Sequence, residues 1–463
     1  MTHQDTIIAL ATASGAGAIA VLRVSGPEAL TISNTLFKSI HNKDLLNQPT
    51  HTVHLGHIVD GDRILDEVLV SIFKNPQSYT GEDVVEISCH GSSYIQQEIL
   101  QVFIRKGCRA AEAGEFTLRA FLNGKMDLSQ AEAVADLIAS DSAAAHQIAL
   151  QQMRGGFSSE IKNLREELLN FASLIELELD FSEEDVAFAD RKQFEDLLHR
   201  IVNVLKYLMD SFATGNVIKN GVPISIVGAP NVGKSTLLNA LLNEDKAIVS
   251  NIAGTTRDAI EDELIIEGIK FRFIDTAGIR QTDDTVESIG IEKTFAKMAQ
   301  SQVIIQLLDA SSISKANATD VLSSVAETKA QYPEKEMLVV LNKMDLADKT
   351  LVSKIFSEQN PLLQMSAKTG EGVELLKTKL LDLVQTGQLR NNDTIITNAR
   401  HYNALRLALE NIQNVQEGLQ TGLSGDLLAI DIREALYHFG RITGEISTDD
   451  LLGNIFANFC IGK

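Results

Sequence analysis

Short apolar runs separated by turn residues make up the first part of the chain. Residues 19–24 and 68–73 are strand-like runs in a region punctuated by Gly, Pro and Asn. Residues 53–59 alternate in character and lead into Asp60-Gly61, a pair that favours the positive φ angles of a tight turn. The pattern predicts a mixed α/β domain over residues 1–121 that contains one hairpin.

The apolar period changes after residue 121. Leu164, Leu168, Phe171 and Ile175 recur at spacings of four, three and four, which is the spacing of one helix face. We therefore expect amphipathic helices that pack on one another over residues 122–216.

Strand and helix patterns alternate after Pro223 and indicate a separate α/β domain over residues 217–387. A polar stretch then leads into a last helical region, residues 388–463. The expected fold is a multidomain α/β and α protein, in which an inserted α/β domain interrupts a helical bundle.

Composition narrows the class of protein. The net charge of the 463-residue chain is −21, which argues against broad wrapping of nucleic acid, so any RNA contact must be local or shared with a partner. The three cysteines lack the spacing of a zinc site or a disulfide framework. The chain shows no signal-peptide pattern and no apolar run of about 18 residues. We expect a cytoplasmic protein without a membrane span.

A phosphate-binding loop follows a buried strand-like run. Residues 228–235 read Gly-Ala-Pro-Asn-Val-Gly-Lys-Ser, with an apolar helix pattern behind them. The glycines allow backbone N–H groups to surround the phosphates, Lys234 reaches the β and γ phosphates, and Ser235 ligates magnesium. The inserted domain is therefore predicted to be a Ras-like P-loop GTPase domain.

Three further motifs follow in the order that a GTPase requires. Residues 275–278 put a carboxylate and a glycine at a strand end, residues 342–345 supply a carboxylate for guanine, and residues 366–368 supply backbone for the guanine oxygen. Adenine lacks the N1–H and 2-amino pair that Asp345 accepts, so the predicted base is guanine. The predicted GTP-binding residues are Asn231, Val232, Gly233, Lys234, Ser235, Thr236, Ser250, Asn251, Ile252, Ala253, Gly254, Thr255, Thr256, Asp275, Thr276, Ala277, Gly278, Asn342, Lys343, Met344, Asp345, Ser366, Ala367 and Lys368.

Catalysis needs a group other than the glutamine of Ras-like enzymes, because Ile279 stands at that position. Glu287 is the candidate that orients the attacking water, although on the residues alone its acidic stretch is more typical of a solvated surface. Asn231 could ligate a monovalent cation that stabilises the transferring phosphoryl group, or it could be an ordinary turn residue. The predicted catalytic residues are Glu287, Lys234 and Asn231.

Several runs resemble the MnmE (TrmE) family of tRNA modification GTPases over essentially the whole chain. They are the Gly-Thr-Thr-Arg-Asp run at 254–258, Tyr-Thr-Gly-Glu-Asp at 79–83, Phe-Leu-Asn-Gly-Lys-Met-Asp-Leu at 121–128 and the terminal Cys-Ile-Gly-Lys at 460–463. The resemblance implies an N-terminal domain that dimerises and binds a folate one-carbon carrier, 5-formyl- or 5,10-methylene-tetrahydrofolate. It also implies a helical domain and an inserted GTPase domain that dimerises with potassium.

The resemblance assigns ligands to individual residues. It implies magnesium at Ser235 and Thr256, and folate at Arg23, Glu82, Lys125 and Lys463. The potassium ligands that it implies are Asn231, Ser250, Ile252 and Thr255.

The resemblance also implies partners. The family acts on tRNA with a flavoprotein that uses FAD and NADH, called MnmG or GidA, in a heterotetramer or larger complex. Together they add an aminomethyl-type group at C5 of the wobble uridine.

Alternatives remain at this point. Cys460 could act as a C-terminal nucleophile beside the folate or simply pack against the protein. A ribosome-assembly GTPase of the Era or EngA type shares the first-switch run, and a GTP-switched scaffold that modifies nothing is a further alternative.

Overall fold

A computed structural model describes residues 5–180, 191–243, 262–274, 301–356, 362–385, 395–457, 459, 460 and 462. The chain divides into two compact units. Unit 1 comprises residues 1–139, 149–207 and 400–463, and unit 2 comprises residues 140–148 and 208–399. No described helix has the length and apolar character to cross a membrane.

Unit 1 begins with a seven-stranded sheet in the order β3-β4-β5-β6-β2-β1-β7. Its strands are β1 (Ile7–Leu10), β2 (Ile19–Ser25), β3 (Phe37–Ser39), β4 (Thr52–Asp60), β5 (Arg63–Phe73), β6 (Val84–His90) and β7 (Arg109–Ala110). Helices α1 (Ala29–Leu36) and α2 (Ser93–Arg105) contribute Leu30, Ile99 and Phe103 to the apolar core that they share with the sheet.

The expected hairpin is formed by β4 and β5, which pair in antiparallel fashion. Its turn lies one residue later than the sequence pattern suggested, because Asp60 still pairs with Arg63. Gly61 adopts a φ of 61° at the turn, a conformation that costs glycine little.

The rest of unit 1 is largely helical. Its helices are α3 (Glu115–Leu122), α4 (Leu128–Ala139), α6 (Gly156–Asp180), α12 (Ala399–Thr421), α13 (Gly425–Thr443) and α14 (Asp449–Phe456). Two more helices, α5 (Ala143–Met153) and α7 (Arg191–Asn220), each contribute residues to both units. Buried Leu164, Leu168 and Ile175 confirm the helical period of α6.

Unit 2 is built on a six-stranded sheet in the order β13-β12-β11-β8-β10-β9. Its strands are β8 (Val222–Val227), β9 (Asp262–Ile266), β10 (Ile269–Phe273), β11 (Val303–Asp309), β12 (Glu336–Asn342) and β13 (Leu362–Gln364). The helices are α8 (Lys234–Asn243), α9 (Ala318–Gln331), α10 (Lys349–Ile355) and α11 (Val373–Gln385).

Among the described residues of unit 2, all strand pairs are parallel except β9 with β10. Parallel strands align their carboxyl ends at one edge of a sheet, where such folds bind ligands. The loops after β8, β11, β12 and β13 therefore meet at one edge of this sheet.

Candidate functional site

The phosphate-binding loop joins the end of β8 to the start of α8 at Lys234. Gly233 adopts a φ of 99°, and a Cβ added there would lie only 2.4 Å from Asn342 Nδ2. Asn231 adopts a φ of 60°, in the left-handed region that asparagine tolerates better than most residues. These backbone conformations explain the residue types at two positions of the loop.

The Lys234 side chain folds over this loop. Its Nζ donates to the carbonyl oxygens of Gly228 at 2.7 Å and Ala229 at 3.3 Å. The ammonium group thus lies beside the loop that would surround phosphates, and the first turn of α8 adds backbone N–H groups. The donor set fits the terminal phosphates of a nucleotide, and the Ser235 hydroxyl that follows is an oxygen ligand suited to magnesium.

Asn342 connects this loop to the loop after β13. Its Nδ2 donates to the Val232 carbonyl at 2.8 Å, and its Oδ1 accepts from the Ala367 N–H at 2.9 Å. The Asn342 side chain is buried, so both hydrogen bonds are shielded from water. One amide therefore fixes two loops that sequence analysis assigned to opposite ends of the nucleotide.

Lys343 holds the phosphate loop from its other side. Its Nζ donates to the Asn231 carbonyl at 2.8 Å and pairs with Asp309 Oδ2 at 2.7 Å. Burial raises the pKa of Asp309, but hydrogen bonds from Lys343 and Ser311 outweigh that effect and hold the pKa below its ordinary value. Asp309 therefore stays ionised and orients Lys343.

Sequence analysis did not identify Asp309. The available signal was an acidic residue that directly follows an apolar strand-like run, at the sheet edge where the other motifs lie. The parallel register places Asp309 opposite Asn342, one residue before Lys343.

The predicted base-recognition motif at 342–345 and the loop after β13 lie against each other. The Met344 N–H donates to the Met365 carbonyl at 3.1 Å, and the Met365 N–H donates to the Leu341 carbonyl at 2.8 Å. Asp345 and Lys368 are exposed, whereas Ser366 is buried. An exposed carboxylate beside this loop can receive the two N–H donors of a guanine edge.

The other predicted nucleotide and metal residues lie outside the described part of the chain. They are Ser250, Asn251, Ile252, Ala253, Gly254, Thr255, Thr256, Asp275, Thr276, Ala277, Gly278 and Glu287. The predicted folate residue Lys463 also lies outside it.

In the N-terminal part, Arg23 lies against Tyr79, and Glu82 follows Tyr79 by three residues in the sequence. The Arg23 guanidinium lies 5.1 Å from the centre of the Tyr79 ring and donates to Glu86 at 2.8 Å. Glu82 accepts from the Ser25 hydroxyl at 2.7 Å. A cation on an aromatic face and a nearby carboxylate thus occur together.

Lys125 packs against the same loop. Its Nζ donates to the Pro76 carbonyl at 2.9 Å, and a Cβ added to Gly81 would lie 3.3 Å from its side chain. Asn123 donates to the Thr80 carbonyl at 2.8 Å. Residues 76–82 therefore bring together all three described folate candidates.

The C-terminal run approaches β1. A Cβ added to Gly462 would lie 2.1 Å from the Leu10 carbonyl oxygen, so no larger residue fits there without a backbone shift. Cys460 is exposed, and its carbonyl accepts from Gly114 at 3.4 Å. The Cys460 thiol is therefore accessible to solvent.

Glu82 belongs to a buried charge network that sequence analysis missed. Arg119 is 1% exposed and donates to Asp5 at 2.7 Å, to Glu115 at 3.0 Å and to Glu82 at 3.3 Å. Burial raises the pKa of Glu115, but hydrogen bonds from Arg109, the Glu112 backbone and Arg119 outweigh that effect and hold the pKa below its ordinary value. The helical spacing of Glu115 and Arg119 was visible in the sequence, but nothing there indicated that the pair is buried.

Two family models match the chain. A model described as the GTP-binding protein TrmE N-terminus matches residues 6–125, and one described as the MnmE helical domain matches residues 128–460.

Relatives named tRNA modification GTPase MnmE align over the whole chain. The protein of Flavobacterium johnsoniae is 66% identical, with 100% of both chains covered. The protein of Cytophaga hutchinsonii is 56% identical over 100% of this chain and 98% of its own.

Among solved structures, the G domain of the T. maritima FeoB iron transporter is 26% identical, with a TM-score of 0.25. It covers 35% of this chain and 99% of its own length. With a TM-score this low, the likeness carries no functional argument.

Proposed function

Because the chain belongs to the MnmE family of tRNA modification GTPases, we propose that it is a potassium-activated GTPase that modifies the wobble uridine of certain tRNAs at C5 with a folate one-carbon unit. The observation that carries the nucleotide part is the Asn342 amide, which joins the phosphate loop to the base-side loop. The proposed domains are residues 1–121, 122–216 with 388–463, and the inserted GTPase domain at 217–387.

The phosphate end of the site has a defined division of roles. Lys234 neutralises charge on the β and γ phosphates, and Ser235 with Thr256 holds magnesium. Glu287 orients the attacking water, because Ile279 cannot hydrogen-bond it. Bound magnesium supplies Lewis-acid stabilisation of the phosphate oxygens.

The Asn231 side chain supports a potassium site. Lys343 holds the Asn231 backbone through its carbonyl, and within the described residues the Asn231 side chain makes no hydrogen bond. Its amide oxygen is therefore free to ligate a monovalent cation, together with Ser250, Ile252 and Thr255. A potassium ion beside the phosphates supplies the positive charge that an arginine finger supplies in other GTPases.

The surroundings of residues 76–82 support folate binding. A pterin ring can stack beside Tyr79 and Arg23, while the Glu82 carboxylate accepts N–H donors from its edge. Lys125 and Lys463 carry charges that complement a glutamate tail.

An exposed apolar sheet face supports a homodimer formed through the N-terminal domain. Leu55 on β4 and Leu69 on β5 are directly opposite in register, and their exposed fractions are 38% and 46%. Val53, two residues from Leu55 on the same face, is 60% exposed. Apolar surface of this kind is typical of an association site.

The proposed partners share the remaining chemistry. An MnmG-type flavoprotein supplies the FAD and NADH chemistry in a heterotetramer or larger complex, and it carries much of the tRNA contact that the net charge of −21 disfavours here. The proposed location of the complex is the cytoplasm.

One experiment tests the cation mechanism. GTP hydrolysis by the full chain is measured in potassium and in sodium at equal ionic strength, with an Asn231→Ser variant alongside. We expect a large rate gain in potassium that the variant loses. Equal rates in both salts would remove potassium from the mechanism.

A second experiment tests the modification. Cells that lack the protein should lose the modified wobble uridine, and the purified full chain should bind 5-formyltetrahydrofolate. Unchanged wobble uridine would favour an Era-type or scaffold role instead.

A further inference from the structure

The β9–β10 hairpin lies, in the sequence, between the predicted first-switch run at 254–258 and the predicted nucleotide motif at 275–278. β9 (Asp262–Ile266) follows the run at 254–258, and β10 (Ile269–Phe273) precedes Asp275 by two residues. Its turn residues Glu267 and Gly268 have φ values of 48° and 82°, and positive φ at both positions is typical of a tight two-residue hairpin. Both ends of this hairpin therefore continue into segments that carry predicted nucleotide residues.

A segment that is distant in sequence packs on this hairpin. Lys270 Nζ pairs with Asp141 Oδ2 at 2.7 Å, and the Lys270 side chain is only 12% exposed. The Ala144 N–H donates to the Gly268 carbonyl at 3.4 Å, and a Cβ on Gly268 would lie 3.2 Å from Ala143 Cβ. A partly buried ion pair, a backbone hydrogen bond and close packing thus fix the same segment.

Residues 140–148 consequently group with unit 2, although the residues on both sides of them in sequence belong to unit 1. The segment follows directly after α4 (Leu128–Ala139), and Lys125 precedes that helix by three residues. An α-helix of this length is about 18 Å long. In the sequence, only α4 and a few flanking residues lie between the folate candidate Lys125 and Asp141.

α4 is also held within unit 1 by a buried charge cluster. Glu132 accepts from Arg400 Nη2 at 2.9 Å and lies 2.7 Å from His401 Nε2. These contacts anchor α4 at Glu132.

We propose that Asp141 and Lys270 are positioning residues that couple the nucleotide state of the GTPase domain to Lys125 through α4. The proposal rests on the proposed function, in which the same chain hydrolyses GTP and takes part in tRNA modification. A shift of the hairpin between nucleotide states pulls residues 140–148 through the ion pair, and α4 carries that displacement to the folate candidates. Neither side chain touches a reacting atom.

Hydrogen exchange in the full-length protein tests this directly. Amide exchange in α4 and in the hairpin is compared between the GDP state and the GDP aluminium fluoride state in potassium. We expect both regions to differ between the two states in the unaltered protein. Asp141→Asn and Lys270→Gln should keep the difference in the hairpin and lose it in α4.

Glu263→Gln is the matched control. Glu263 is a second partner of Lys270, at 3.4 Å, but it lies on the hairpin itself. This variant should keep the difference in α4. The exchanged pair Asp141→Lys with Lys270→Asp should restore the α4 response that each single substitution removes.

Three results would overturn the proposal: an α4 that does not respond in the unaltered protein, an α4 response that survives in both single variants, or a control variant that behaves like Lys270→Gln. Exchange is read without tRNA or folate, so these outcomes are independent of the proposed modification. A separate readout connects the α4 response to tRNA modification. Asp141→Asn should keep the rate of GTP hydrolysis within about twofold of the unaltered protein and should lower wobble uridine modification several-fold. Equal loss of both activities would place the pair in the nucleotide site itself and contradict the coupling role.

Discussion

Asn342 Nδ2 donates to the carbonyl oxygen of Val232 at 2.8 Å, although the two residues are 110 positions apart in the sequence. We expect Asn342→Ala to leave both the Val232 carbonyl and the Ala367 N–H buried without a partner. Each unpaired group costs about 1–3 kcal/mol. The midpoint temperature of thermal unfolding and the affinity for GTP should both fall.

Asn403→Ala provides the control for this substitution, because Asn403 is exposed on α12 and its Oδ1 accepts a hydrogen bond from Arg406 at 3.2 Å. It should leave GTP affinity unchanged. A wild-type GTP affinity in Asn342→Ala would show that the two loops are held by other contacts.

Asp345 is expected to decide which base the site accepts. Asp345→Asn replaces a charged acceptor with an amide that donates one hydrogen bond, so GTP should bind about 10–100-fold more weakly. Xanthosine triphosphate carries an oxygen where guanine carries its 2-amino group, and it should bind the variant better than it binds the unaltered protein. Competition binding with GTP, ATP and xanthosine triphosphate measures the change; retention of the original preference would move base recognition elsewhere.

Glu132 should make the protein sensitive to acid. Burial alone raises the pKa of Glu132, but His401 and Arg400 outweigh it and hold the pKa at about 2, against an ordinary value of 4.5. Because the folded pKa is the lower one, the stabilisation is complete above about pH 4.5 and is lost as the pH falls towards 2. It amounts to about 3 kcal/mol.

Glu132→Gln should therefore lower the free energy of unfolding at neutral pH, and its deficit should shrink as the pH is lowered through this window. Urea unfolding at several pH values gives the comparison. The exposed pair of Glu410 with Arg406 offers a control, and Glu410→Gln should cost less than about 1 kcal/mol. A deficit for Glu132→Gln that does not depend on pH would be incompatible with an ionised Glu132.

The three cysteines should differ in reactivity. Burial, with the charge of Asp66, raises the pKa of Cys89 to about 11, and burial raises that of Cys108 to about 12. Cys460 is exposed. A thiol reagent at pH 8 should label one thiol in the native protein and three in guanidinium, and Cys460→Ala should abolish the native signal. Rapid native labelling of Cys89 or Cys108 would contradict their burial.

The Cys460→Ala variant also separates two roles for this residue. A nucleophile would be required for tRNA modification, whereas a packing residue would tolerate alanine with little loss. The exposed thiol allows the first role without requiring it.

Sequence alone indicated the backbone conformation of the predicted phosphate-binding loop. Residues 228–235 fix their own loop, because glycine and asparagine permit the positive φ values that the backbone adopts there. The apolar periods likewise determined the fold class, since strand and helix repeats reflect which face is buried. The sequence runs that resemble the MnmE family supplied the remaining expectations, and the full-length relatives confirm the family.

Only the tertiary structure decided which distant residues meet. The β11–β12 register places Asp309 opposite Asn342, beside Lys343, and folding buries Arg119 among Asp5, Glu82 and Glu115. It also assigns residues 140–148 to unit 2, against the continuous helical segment that the sequence indicated. These pairings depend on strand register and on burial over long separations, and a local pattern of apolar and polar residues contains neither.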